Sequence, residues 1–176
     1  MIALLLDRDG TLMDDVGYPN DPQTVKLIPD AVKAVKELHD RFGCVPCIVS
    51  NQSGVARGLI THEQFQAVHE RFIELFRLET GLTLPAYYCL HGTDEHCHCR
   101  KPRPGLLQQA IAELNLAGKP AVMIGDKPSD IAAGTAIGAK TVWLSQGRTY
   151  PGGGPFPDLF ADSWADVLPW VEEMAR

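Results

Sequence analysis

Short, unbroken apolar runs alternate with amphipathic segments along the whole chain, and the runs end on polar or acidic residues. IALLLD (2–7) reads as a strand buried on both faces, since a half-exposed strand would alternate apolar with polar. Residues 30–42 follow with Ala31, Val35, Leu38 and Phe42 at helical spacing. CVPCIVS (44–50) is a second buried strand. Thr61, with Gln64 three residues on, forms a capping box ahead of Phe65, Val68, Phe72 and Leu75, and Gly81 stops that helix. AYYC (86–89) is a shorter strand, 104–115 a helix, AVMIGD (121–126) a strand, 129–136 a helix and KTVWLS (140–145) a fifth strand. The closing SWADVLPWVEEMA is a last amphipathic helix, in which Pro169 requires a place near the start or a kink.

Strand–helix alternation of this kind specifies an α/β domain with a mainly parallel sheet and helices on both faces. At 176 residues, a single domain over 1–176 accounts for the chain. Ligands of such sheets collect outside the carboxyl ends of the strands, so the residues just past each run are the ones to read.

The first run ends in Asp7-Arg8-Asp9-Gly10-Thr11. Residues two apart in an extended chain share a side, so both carboxylates project beyond the sheet, although a strand entering a D-G turn would look the same. The second run ends in Ser50-Asn51-Gln52-Ser53-Gly54, a loop with hydroxyl and N–H donors for an anion. The fourth ends in Gly125-Asp126-Lys127-Pro128-Ser129-Asp130, which alone is also a good helix start. Together, Asp7, Asp9 and Asp126 crowd three carboxylates into one site, and their repulsion calls for a cation. Hard oxygen ligands with no nearby histidine suggest Mg²⁺. With Ser50 and a lysine added, the site can hold a phosphoryl group between a divalent ion and fixed donors. Asp7 could then attack phosphorus to give an aspartyl-phosphate, while Asp9 protonates the leaving alkoxide and later deprotonates water.

These motifs resemble those of the haloacid dehalogenase (HAD) superfamily of aspartate-nucleophile phosphatases: DRDGT (7–11), SNQ (50–52), Lys101 within CRKP, and GDKPSD (125–130). The resemblance implies a Rossmann-like sheet with the first strand central, Asp7 as nucleophile and Asp9 as acid/base. It implies Mg²⁺ held by Asp7, the Asp9 backbone carbonyl and Asp126. Ser50 and Lys101 would grip the phosphoryl oxygens, and Asp130 would support the metal or the lysine. The chain has no second large domain to cap the site, which points to a small-molecule substrate.

CLHGTDEHCHCRKP (89–102) concentrates cysteine and histidine directly before Lys101. Cys89 and His91 form a C-x-H pair, and Cys97 and Cys99 a C-x-C pair; a closed Cys₃His set suits structural Zn²⁺. His96 or His98 could replace His91 as the fourth ligand. Such a clip would order the loop and aim Arg100 and Lys101 at the phosphate site. The C-x-H…C-x-C-R-K-P pattern resembles the HAD branch that contains heptose 1,7-bisphosphate phosphatases and histidinol-phosphate phosphatases. SNQSGVARG (50–58) and the GDK of 125–127 resemble the heptose enzymes, whereas the short gap between the cysteine pairs resembles the histidinol-phosphate enzymes. The resemblance carries substrate contacts onto Asp15, Val16, Gly17 and Tyr18, onto Ser50, Asn51, Gln52 and Ser53, and onto Arg100 and Lys127. It implies hydrolysis of the 7-phosphate of D-glycero-D-manno-heptose 1,7-bisphosphate, with histidinol phosphate as the alternative.

Composition removes other classes. A net charge of −6 argues against a broad nucleic-acid footprint, and so against a nucleic-acid 3′-end phosphatase. The first apolar run is too short for a signal peptide or a membrane span, so the expected setting is the cytoplasm, where disulfides are rare. Cys44 and Cys47 have redox-motif spacing but lead into a strand, and are read as buried hydrophobes. His39, His62 and His69 fall in helical patterns as surface or packing residues, and the glycine run at 152–154 is a surface loop. A non-catalytic binding module would be expected to lack one of Asp7, Asp9, Ser50, Lys101 or Asp126, and all are present. A monomer is the default.

Overall fold

A computed structural model describes residues 1–176. Its strands are β1 (Ala3–Leu6), β2 (Val45–Asn51), β3 (Ala86–Cys89), β4 (Ala121–Gly125), β5 (Lys140–Leu144) and β6 (Leu159–Ala161). The helices are α1 (Pro29–Phe42), α2 (His62–Thr80), α3 (Gly105–Glu113), α4 (Pro128–Ala136) and α5 (Trp164–Ala175). The strands form one sheet in the order β3-β2-β1-β4-β5-β6, and every neighbouring pair is parallel. This is a Rossmann-like arrangement, with the first strand inside the sheet as expected.

The apolar runs are unbroken because helices cover both faces. Leu4 and Leu6 of β1 point into the larger core, formed with α1, α2 and α5, whereas Leu5 points into a smaller core with α3 and α4. Burial of this kind is worth about 1.5–3 kcal/mol for each large aliphatic side chain. Phe65, Phe72 and Phe76 line the buried stripe of α2. The Thr61–Gln64 capping box forms in both directions, and Gly81, with φ +76°, closes the same helix in the left-handed conformation.

Two features depart from the pattern read along the chain. β6 escaped notice because three residues are too few to show a period, and its Phe160 is half exposed. Pro169 lies within α5, in its first half, where a missing N–H costs the helix the bond to the Ala165 carbonyl.

The order of the strands places the site. The chain leaves β1 toward β2 and β3 on one side, then crosses back to β4 on the other. The crevice at this reversal lies beyond the carboxyl ends of β1, β2 and β4, where the acidic and polar turns meet.

Candidate active site and cysteine–histidine cluster

Asp7 directly follows β1, and its N–H donates to the Ile124 carbonyl at 3.0 Å, which extends the ladder to β4 by one residue. Asp126 directly follows β4, so the two carboxyls leave adjacent strands side by side. Asp7, Asp126 and Asp130 are all buried, and each offers an oxygen within 4.8 Å of the others. Gly10 turns the chain sharply at φ +79°, and a Cβ there would fall 2.5 Å from Asp126 Oδ2. Only glycine satisfies both demands.

Lys101 reaches this group from the loop before α3. Its buried Nζ lies 2.9 Å from Asp7 Oδ1 and 2.6 Å from Asp130 Oδ1, and it donates to the Val49 carbonyl at 2.7 Å. Asn51 clamps the lysine's backbone from both sides: Nδ2 donates to the Lys101 carbonyl at 2.9 Å, and Oδ1 accepts from the Lys101 N–H at 3.0 Å. The amide of Asn51 is thus committed to placing Lys101.

Burial pushes the Asp7 carboxyl up, but Lys101, Lys127 and hydrogen bonds from Lys101 and Ser50 outweigh it and hold Asp7 below the usual carboxylate range. Burial raises Asp126, with the Asp7 charge adding to it. Asp130 is pushed up to about 6 by burial, against the pull of Lys101. Lys101 itself stays raised despite burial, because Asp130 and Asp7 flank it. Of the three carboxylates, Asp7 is therefore the one most firmly ionised.

Asp9 turns its side chain away from this trio. Arg8 Nε donates to Asp9 Oδ1 at 2.9 Å and Nη2 to Oδ2 at 3.2 Å, while Gln52 Nε2 donates to Oδ2 at 2.7 Å and to Ser50 Oγ at 3.2 Å. Of the Asp9 oxygens, only the backbone carbonyl is left for the metal role that the family resemblance implied. Arg8 is fully buried, with its guanidinium 5.5 Å from the centre of the Tyr88 ring.

Asp7 and Asp126 fit a hard divalent cation, with Asp130 committed to Lys101. All donors are oxygens, and Asp126 Oδ1 is buried without a hydrogen-bond partner. The other Asp126 oxygen, Oδ2, accepts from Arg148 Nη2 at 3.1 Å. Arg148 was missed in the sequence, although the signal was there: SQGR (145–148) follows β5 just as the other polar turns follow their strands.

A cleft of about 550 Å³ opens in front of Asp9 and Lys101. Asp15, Gly17 and Tyr18 form one wall, Asn51, Gln52 and Ser53 another, and Arg100 and Lys127 bring positive charge. Thr93 and Ser129, not singled out in the sequence, also face it. Val16 does not line this cleft: it is half exposed and borders a neighbouring hollow, which it shares with Asp15, Asp126 and Arg148. Ser50 is buried behind the cleft, beside Gln52 and Asp7.

Cys89, His91, Cys97 and Cys99 converge at the end of β3. Sulfur–sulfur separations are 3.6 Å for Cys89–Cys97 and 3.2 Å for Cys89–Cys99, and His91 Nδ1 lies 3.2 Å from Cys99 Sγ and 3.6 Å from Cys89 Sγ. A tetrahedral zinc with Zn–S near 2.3 Å would require S···S edges of about 3.8 Å, so the cluster is nearly at the size of a metal cage. His91, rather than His96 or His98, supplies the nitrogen, and none of the five cysteines forms a disulfide. Cys44 and Cys47 are buried, and burial pushes the Cys47 thiol up to about 12, which suits a packing role. His69 packs edge-on to Tyr88.

Residues 98–167 match the HAD-hydrolase-like family model. A D-glycero-β-D-manno-heptose-1,7-bisphosphate 7-phosphatase of Haemophilus ducreyi is 38% identical over 178 residues, covering 96% of this chain and 97% of its own. The chain belongs to the HAD hydrolase family. A Pseudomonas putida relative of the same name is 37% identical over 172 residues, covering 95% of this chain and 97% of its own. Among solved HAD structures, the D,D-heptose 1,7-bisphosphate phosphatase of B. bronchiseptica, complexed with magnesium and phosphate, superposes with a TM-score of 0.85. It is 28% identical and covers 99% of both chains.

Proposed function

We propose that this HAD hydrolase is a Mg²⁺-dependent phosphatase that removes the 7-phosphate of D-glycero-β-D-manno-heptose 1,7-bisphosphate. The observation that carries the reading is the buried set of Asp7, Asp126, Asp130 and Lys101 at the floor of a polar cleft, in a chain matched end to end by relatives bearing that name. Asp7, the Asp9 carbonyl and Asp126 would hold Mg²⁺, which would supply positive charge against the phosphoryl oxygens.

The chain's own residues perform the transfer. Lys101 and Ser50 hold the phosphoryl oxygens, and Asp7, kept ionised by Lys101, attacks phosphorus in line as the alkoxide departs. The Asp9 carboxyl, held at the cleft by Arg8 and Gln52, gives its proton to that alkoxide and then takes one from the water that hydrolyses the aspartyl-phosphate. Asp130 anchors Lys101 from behind. Arg100 and Lys127 face the remainder of the substrate together with Asp15, Gly17, Tyr18, Gln52 and Ser53. They suit a second phosphate and repel a cationic histidinol, which favours the heptose over histidinol phosphate.

Zinc is the metal that best matches Cys89, His91, Cys97 and Cys99, and it would fix the loop that delivers Arg100 and Lys101. Residues 1–176 act as one domain and a monomer, in the cytoplasm, on a small sugar phosphate. No helix is long and apolar enough to cross a membrane.

The test is phosphate release with Mg²⁺ from heptose 1,7-bisphosphate and from histidinol phosphate, with Asp7→Asn as control. Preference for the heptose, lost in Asp7→Asn, is expected. Preference for histidinol phosphate overturns the substrate, and activity surviving in Asp7→Asn overturns the mechanism.

A further inference from the structure

The cleft wall formed by Asp15, Gly17 and Tyr18 belongs to a segment held within itself by one turn bond, Gly17 N–H to Asp15 Oδ1 at 2.9 Å, and tied at its start by the Asp14 N–H, which donates to the Lys26 carbonyl at 3.0 Å. Residues 14–18 are exposed, and Val16 and Tyr18 present 53% and 42% of their surface to solvent. Such a segment stays in place only where something outside it provides an anchor. At one end, Asp15 pairs with Lys127 at 3.3 Å, an exposed pair of small worth. At the other end Tyr18 is held on three counts. Its ring lies against Gly54, where a Cβ would come within 2.7 Å of Tyr18 Cδ1. Arg57 Nη1 donates to its hydroxyl. The Arg57 guanidinium also sits 5.4 Å from the centre of the ring.

The turn that carries these anchors is itself well fixed. The Arg57 N–H donates to the Ser53 carbonyl at 3.0 Å, and the Leu59 N–H to the Gly54 carbonyl at 2.9 Å. The hinge of the contact is therefore the rigid 53–60 turn, and the wall leans on it. Arg57 does not line the cleft.

We propose that Arg57 is a positioning residue for substrate binding: acting through Tyr18, it clasps residues 14–18 against the 53–60 turn and so sets the wall that meets the part of the substrate remote from the reacting phosphate. The inference rests on the reading of this cleft as the sugar-phosphate site. Arg57 holds Tyr18 from two directions, by donating to its oxygen and by standing over its ring, so lysine at this position retains the charge but loses the planar fork. A substrate too short to reach the wall does not sense the clasp.

The experiment compares wild type, Arg57→Ala, Arg57→Lys, Tyr18→Ala and the Arg57→Ala/Tyr18→Ala double variant. Backbone hydrogen exchange of residues 14–18 is measured on the free proteins, and kcat and KM on heptose 1,7-bisphosphate and on acetyl phosphate. Arg57→Ala is expected to speed exchange in 14–18 and to raise KM for the bisphosphate about five- to tenfold with kcat nearly held, as for loss of uniform binding. Arg57→Lys should fall between. KM for acetyl phosphate should stay within about twofold of wild type. In the Tyr18→Ala background the Arg57 effect should vanish, since coupled residues are not additive. Unchanged exchange, additive effects, or equal losses on the two substrates would each overturn the clasp. If wild type hydrolyses acetyl phosphate but not the bisphosphate, the substrate assignment is wrong, and the exchange rates alone then decide whether Arg57 holds the wall.

Discussion

Replacing Lys101 by methionine, which keeps most of the stem and removes the charge, should destabilise the metal-free protein by an amount that depends on pH. The ammonium has two carboxylate neighbours, at 2.9 Å and 2.6 Å, and one carbonyl at 2.7 Å, with the lysine only 3% exposed. At an effective dielectric of about 20, each charge pair at such distances has a gross attraction on the order of 6 kcal/mol, most of it offset by desolvation. Removing one partner of a buried ion pair costs about 3–5 kcal/mol, because the charges left behind are uncompensated. Here the cost should lie near the lower end, since Asp130, already raised to about 6, can escape by taking up a proton. The sign follows from that shift. A carboxyl whose folded pKa is raised favours the folded state at low pH, and this contribution is lost as pH climbs through the folded value. Without Lys101 the Asp130 value climbs further. The deficit of Lys101→Met should therefore be about 3 kcal/mol at pH 7.5 and about 1 kcal/mol at pH 5. Urea unfolding in EDTA at the two pH values measures it, and Lys101→Met/Asp130→Asn should recover at least half of the loss at pH 7.5. A deficit under about 1 kcal/mol at pH 7.5, or no recovery in the double variant, would refute the view that this lysine neutralises a buried pair of acids.

Chelating the cluster metal, or replacing Cys97 by serine, should release about one zinc per chain, lower the melting temperature and abolish phosphatase activity even with Mg²⁺ in excess. Metal analysis beside activity measures it, and full activity in a zinc-free protein would contradict the scaffold role. Arg148→Ala should weaken Mg²⁺ binding about tenfold by calorimetry, because nothing then fixes the Asp126 carboxylate; unaltered affinity would remove Arg148 from the site.

What could be read along the chain, and what could not, divides by the range of the interaction. The strands that carry Asp7 and Asp126 are buried on both faces, so their apolar runs and acidic ends stand out locally, and two such ends suffice to suggest a shared site. The Thr61 cap and the Gly81 stop are equally local. The partners of these residues are not. That Asn51 spends its amide on the Lys101 backbone, that Arg8 takes the Asp9 carboxylate, and that Arg148 reaches Asp126 are facts of tertiary placement, invisible to periodicity. The fourth ligand of the cysteine cluster was open among three histidines for the same reason: in an irregular loop, spacing does not say which way a ring faces. Here the 3₁₀ turn at Thr93–Glu95 separates His91 from His96, and His91 Nδ1 is the one that meets the sulfurs.

The ladder between β1 and β4 has a further consequence. Leu6 lies opposite Ile124, and the Asp7 N–H continues to the Ile124 carbonyl, so the separation of Asp7 from Asp126 is dictated by main-chain pairing and not by the particular side chains beneath it. Any aliphatic sequence that fills both faces of those strands reproduces the same spacing. The spacing of these two carboxylates is in this sense insulated from drift in the core. That is a physical reason why the fold can superpose at a TM-score of 0.85 on a chain with which it shares 28% of its residues. Diversification is left to the walls of the cleft, which rest on side-chain contacts that a single substitution can undo.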